Sequence, residues 1–267
     1  MSSLDWHHGI AIFARAFGCG LFVWIVLRAV ADAPPAWAAV IISQPLAIAT
    51  SFFAIAAAES DAFVREAALR GAQTIPALLI FLTLVAANFA RLTKGSLLAL
   101  GLAGWLVAAL ILTGSLWPFW ATFGATVIMI AASHRVFPIN ARLILRISSG
   151  KRSVLWPAAL QGGAIVVILS LFSSYLGPRF SAILSAVPVA MIFVTISMKA
   201  SATPKWAETY QSARLGLPSL SIYLGAIWAL IPFTGAVAAC FAALLPSFAL
   251  SLVTVRLRAQ FSARMAQ

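Results

Sequence analysis

Residues 95 to 134 run for forty positions without an Asp, Glu, Lys or Arg. As one helix, that stretch would be about 60 Å long. The hydrocarbon core of a bilayer is about 30 Å thick and takes a helix of about 20 residues. The stretch therefore reads as two membrane spans. Its turn belongs at Gly114-Ser115-Leu116-Trp117-Pro118, where Gly and Pro favour a reversal and Trp suits the interface.

The rest of the chain follows the same rule. Of its 267 residues, 63% are hydrophobic and 9% are charged, too few charges to cover a water-facing surface. Lipid is the solvent that fits. The spans are placed at 9–31, 36–58, 71–92, 95–114, 117–134, 154–176, 179–199, 214–232 and 234–256. The last two divide at Pro232-Phe233-Thr234-Gly235. The predicted fold class is an all-α integral membrane protein of about nine transmembrane helices. No separate soluble domain fits between them.

Charge sets the orientation. With nine spans, the loops on one side carry Arg65, Arg70 and Arg179. Those on the other carry Arg28, Arg91, Lys94, Arg135, Arg142, Arg146, Lys151, Arg152, Lys199, Lys205, Arg214, Arg256, Arg258 and Arg264. The richer side is cytoplasmic, so the N-terminus lies in the periplasm and the C-terminus in the cytoplasm. A bacterial inner membrane suits this bias. Ala29-Val30-Ala31 imitates a signal-peptidase site, but Met1 to Gly9 lacks the basic residues of a signal. The first span is expected to stay. The net charge of +12 is then a topological signal and does not point to nucleic acid. Cys19 and Cys240 lie in apolar stretches and suggest packing.

A displacement of 143 positions lays the first four spans on the last four. Pro35 and Pro45 fall on Pro178 and Pro188, Gly20 on Gly163, Ile25 on Ile168, and Ala39 on Ala182. The organisation is read as a four-helix repeat (1–115), a linker span (116–135), a basic cytoplasmic loop (136–153) and a second repeat with a tail (154–267). An odd linker span turns the second copy upside down. This 4+1+4 inverted repeat is a common plan among secondary transporters.

In the second copy, Gly177-Pro178-Arg179-Phe180-Ser181 leads into Val187-Pro188-Val189. This pattern resembles the small four-span GlpM-like inner-membrane proteins. The first copy departs from it, with Pro34-Pro35 and Gln44-Pro45 at the matching places. The resemblance covers about 25 residues per copy. It implies a duplicated membrane fold more than an activity.

Pro45 and Pro188 each fall near the middle of a predicted span. A proline removes a backbone donor and crowds the preceding turn, so its helix kinks or breaks. Matching interruptions in two halves point to a midplane substrate site, although proline also simply bends membrane helices. Gln44, Ser43 and Ser185 would add an amide and hydroxyls beside them. Arg15 lies inside the first span, where it either snorkels to the surface or faces a pathway. Asn88 and Gln161 complete the candidate substrate-binding set; both lie near span ends, where such side chains commonly bond to other helices.

The acids, Asp5, Asp32, Glu59, Asp61, Glu66 and Glu208, all fall in tails, loops or span boundaries. That weakens a proton-coupled carrier and a divalent-cation cage. His7-His8 form a thin metal signal, and no phosphate loop, nucleophile elbow or zinc-protease helix is present. Neither an enzyme, a metal site nor a cofactor is expected. Segments 135–152 and 203–214 read as interfacial helices against anionic headgroups. The expected partners are the lipid bilayer, a small-molecule substrate and, in one arrangement, a second copy in a homodimer. The expected function is an inverted-repeat transporter or channel for a small neutral, anionic or amphipathic solute. The alternative is a membrane scaffold or accessory subunit in lipid or polysaccharide assembly.

Overall fold

The computed structural model describes residues 45–89, 91–115, 117–136, 155–188 and 213–264, with Phe17, Leu21, Trp24, Met191, Ile192 and Thr195 as single positions. The described chain is helical, with no strand among those residues. We number its helices α1 (Leu46–Ala56), α2 (Asp61–Asn88), α3 (Lys94–Leu112), α4 (Phe119–Val136), α5 (Leu155–Ser185), α6 (Leu217–Thr234), α7 (Ala236–Ala242) and α8 (Leu244–Arg264). Among the described residues, four stretches are long and apolar enough to cross a membrane: Asp61–Asn88, Lys94–Leu112, Leu217–Thr234 and Ala236–Thr254. Phe119–Ser133 is a shorter apolar helix. This is the make-up of an integral membrane protein. The count of nine spans extends into residues 1–44 and 189–212, most of which lie outside the described set.

α2 is the centre of the bundle. It packs against α1, α3, α4, α5 and α6. Gly71 to Leu79 is an unbroken run of buried residues, as expected for a helix enclosed on every side. Close approach on one flank depends on missing side chains. A Cβ at Gly101 of α3 would lie 2.8 Å from Val85, and one at Gly104 would lie 2.4 Å from Leu84. Small residues at such a contact let two helix backbones draw together where lipid offers no hydrophobic drive. On the opposite side, Gly225 of α6 receives the Phe119 ring of α4, which a Cβ would meet at 2.2 Å.

Several expected boundaries hold. The reversal between α3 and α4 falls in 113–118, and Gly235 divides α6 from α7. Gly235 has φ 76° and ψ 165°, a region essentially restricted to glycine. One boundary moves. The third span was placed at 71–92, but α2 begins ten residues earlier, at Asp61. Ser60 caps it, accepting the Phe63 N–H at 3.4 Å, and Asp61 sits in the positive first turn. Arg65, Glu66 and Arg70 are therefore carried on a helix and not in a loop. Hydropathy misses these nearly three turns because charged side chains do not prevent helix formation.

The last predicted span also changes in detail. α7 and α8 are offset at Ala243, three residues before Pro246. Pro246 has no N–H to offer the carbonyl four residues back. The Ser247 N–H reaches Ala243 at a long 3.5 Å, so the two pieces still form one continuous rod.

Candidate functional site

The two prolines that the repeat pairs each open a helical turn, and Pro188 also follows the end of α5. Pro45 is buried and immediately precedes α1. Its carbonyl accepts the Ala49 N–H at 2.6 Å. Pro188 is also buried, and its carbonyl accepts the Ile192 N–H at 3.0 Å. Each proline thus opens a helical turn, the position where its missing donor costs least. Residues 179–199 were expected as one span. The chain is instead interrupted at Ala186 to Pro188, between the end of α5 and that new turn.

α5 itself is two helices. Gly177, with φ 71° and ψ 171°, separates residues 155–176 from residues 178–185. Pro178 is the first residue of the second piece, and its fixed φ suits that start. This short helix sinks into the protein along its length. Phe180 is 47% exposed, whereas Ser181, Ala182, Ile183, Ser185 and Ala186 are buried. At its far end, the Ala186 N–H bonds to Ala182 at 3.2 Å and Ile183 at 3.1 Å, and the Val187 N–H to Leu184 at 3.3 Å. These tightened turns close most of the terminal carbonyls before Pro188.

Polar contacts link the elements around the short helix. Just beyond α1, the Glu59 carboxylate accepts the Ser173 hydroxyl of α5. Arg70 of α2 donates to the Thr113 carbonyl and to Glu66. Arg179 donates to the Leu110 carbonyl at 2.7 Å and the Thr113 hydroxyl at 3.2 Å. Both guanidinium groups thereby serve the C-terminal end of α3, where carbonyls lack helical donors and the dipole is negative. Gln73 joins them from α2, donating to Ser115 at 3.1 Å. Asp61 accepts the Ala236 N–H at 3.0 Å at the start of α7. Arg65 donates to the Trp228 carbonyl at 3.2 Å and lies over its ring. These contacts tie α2 to α3, α6 and α7, and α5 to α3.

α1 runs from Pro45 towards Glu59, residues 178–185 run from Gly177 towards Pro188, and α1 and α5 pack against one another.

Hydroxyls accompany these elements. Ser181 and Ser185 stand one turn apart on the half-helix, 0% and 3% exposed. Ser185 bonds back to Ala182 at 2.9 Å. Ser181 Oγ is buried without a hydrogen-bond partner among the described residues. Leaving a buried hydroxyl unpaired costs about 1–3 kcal/mol, so the position favours water or a polar ligand. Thr50 and Ser51 are buried on α1. No group of three His, Cys, Asp or Glu side chains suited to a metal occurs among the described residues.

The candidate residues separate accordingly. Pro188 and Ser185 lie at the break, and Pro45 opens the first turn of α1. Asn88 sits at the C-terminal end of α2 and donates to its own helix at Leu84, 2.9 Å away. Gln161 lies on the first part of α5, and its side chain is outside the described residues. Arg15, Ser43 and Gln44 are outside them as well. Sequence reasoning passed over Ser181, Gln73 and the two arginine caps. The Glu66–Arg70 spacing announces a helical pair, but nothing in the sequence says which helix end Arg70 and Arg179 serve.

Arg214 is buried just before α6 and donates to Ser133 of α4, at 2.9 Å to the carbonyl and 2.8 Å to the hydroxyl. The exposed Arg91 and Lys94 frame the α2–α3 turn. No protein-family model, curated protein or solved structure matches this chain.

Proposed function

We propose that the chain is an inverted-repeat carrier or channel-like transporter of the inner membrane, moving a small neutral, anionic or amphipathic solute. The observation that carries this reading is the helix interruption at Ala186 to Pro188, packed against α1, whose first turn opens at the repeat-related Pro45. Interrupted helices free backbone groups to meet a solute, and the midplane is where alternating access needs them. Buried hydroxyls on the half-helix, with Ser181 unpaired, add polar contacts that suit a hydrogen-bonding solute and keep water there when the solute is absent.

Two further relations support the inverted repeat. Displacement by 143 positions carries Pro45 with its Ala49 bond onto Pro188 with its Ile192 bond. It also carries α3, Lys94–Leu112, onto residues 237–255, nearly the span Ala236–Thr254. α2 and α6 also pack directly on each other. With the lysine- and arginine-rich loops inside, the Glu59–Arg70–Arg179 end faces the periplasm.

The test is solute flux in reconstituted vesicles, with a panel of neutral, anionic and amphipathic compounds. Wild type is compared with Gln44→Ala and Pro188→Ala. The proposal expects flux of one chemical class, reduced at least tenfold in one or both variants. No flux across the panel, together with stable co-purification of a partner, would favour the scaffold reading. Flux unchanged in both variants would remove these positions from the pathway.

A further inference from the structure

Residues 178–185 have the build of a gate. The segment is a single rigid helix of eight residues, bounded by two non-helical joints. One joint is Gly177, whose positive φ is available only to glycine and beside which a Cβ would meet nothing within 4 Å. The other is Ala186 to Pro188, where proline withholds the donor that would continue the helix. The residues between carry the buried hydroxyls of the candidate site.

The segment is packed into the core through Ala182 and Ile183, and near its exposed end a polar clasp adds to that packing. Arg179 reaches across to α3, donating from Nη2 to Leu110 and from Nε to the Thr113 hydroxyl. Arg70 occupies the neighbouring carbonyl of Thr113 and is steadied by Glu66. The clasp therefore binds a ready-made anchor on the static part of the bundle. Phe180, next in sequence, is exposed and lies 5.7 Å below the guanidinium. A hinge at each end, a polar site along the segment and a surface clasp beside the first hinge are the parts of a gate.

We propose that 178–185 is the periplasmic gate of the proline-flanked site, closed in this structure by the bond between Arg179 and the C-terminal end of α3. It rests on the carrier reading for its purpose, but its motion can be measured without any solute. Breaking the clasp lets the segment swing about Gly177, and Ser185, now buried, becomes reachable from outside.

The experiment uses the full chain in vesicles of known sidedness, with Cys19→Ser and Cys240→Ala as background. Ser185→Cys reports the gate, and Thr126→Cys, buried on α4, reports the bundle. A membrane-impermeant methanethiosulfonate is added from the periplasmic side. Arg179→Ala is expected to raise the labelling rate at position 185 at least tenfold and leave position 126 unchanged. Arg179→Lys keeps the charge but loses the forked donor, and an intermediate rate is expected. Unchanged labelling at 185 in both variants overturns the gate. An equal rise at 185 and 126 overturns it too, because Arg179 then holds the whole bundle. Flux is read separately in vesicles of wild type and Arg179→Ala that both keep Ser185. Faster labelling without flux leaves the mobile segment standing and counts against the carrier. Flux with no change in labelling does the reverse.

Discussion

The same substitution, glycine to alanine, is expected to change sign along this chain. Gly124 lies in the interior of α4, and a Cβ there meets nothing within 4 Å. Gly124→Ala lowers the backbone entropy of the unfolded chain and is expected to stabilise by about 0.5–1 kcal/mol. Gly177 also has open space around a built Cβ, but its φ is 71° and its ψ 171°. Gly235 has φ 76° and ψ 165°, and a Cβ would find only Asp61 Oδ2 at an ordinary 3.7 Å. Neither site has a steric neighbour to blame, so the cost is purely conformational. It is about 1–3 kcal/mol for a residue held in that region. The spread between Gly124→Ala and either loop variant is therefore at least about 1.5 kcal/mol by the same estimates. Reversible unfolding in mixed micelles, with helix content followed by circular dichroism, reads the difference. If Gly177→Ala and Gly235→Ala proved as harmless as Gly124→Ala, the breaks would not be imposed by those glycines, and the hinge at Gly177 would lose its basis.

Two other outcomes follow from the packing. Gly225→Ala puts a methyl group 2.2 Å from the Phe119 ring; overpacking of this kind costs about 1–3 kcal/mol, which the same unfolding assay checks, and Phe119→Leu in the same chain is expected to return part of it. Asp61→Ala removes the acceptor of the Ala236 N–H at the start of α7. A lost cap costs about 0.5–2 kcal/mol, and faster hydrogen exchange confined to the first turn of α7 is its signature.

Much of the helical plan was legible because hydropathy and punctuation agree. The turn between α3 and α4 lies where Gly114 and Pro118 placed it, and Gly235 ends α6 as expected. The start of α2 was hidden. Arg65, Glu66 and Arg70 look like a loop on a hydropathy scale, yet Ser60 caps them into the helix and their ends find partners across the bundle. The prolines signalled an interruption at Pro45 and Pro188, but a kink and a clean break leave the same mark in sequence. At Pro188 the backbone distinguishes them, because α5 ends at Ser185 and the bond from Ile192 opens a new turn. Ser181 was invisible for another reason. An unpaired buried hydroxyl is a property of three-dimensional enclosure, and no spacing along the chain reports it. The arginine caps on α3 are long-range contacts of the same kind.

The hydration of the break at Ser185 tests the central claim most directly. A nitroxide placed through Ser185→Cys, in the background lacking the native cysteines, is compared with one placed through Ala77→Cys, buried midway along α2. Deuterium modulation from heavy water, measured by pulsed electron resonance in vesicles, reports water within a few molecular shells of each label. A polar site beside the break at Ala186 to Pro188 predicts strong modulation at position 185 and only background at position 77. Equal, dry signals at both would mean that the prolines merely bend packed helices, and the transport reading would fall with them.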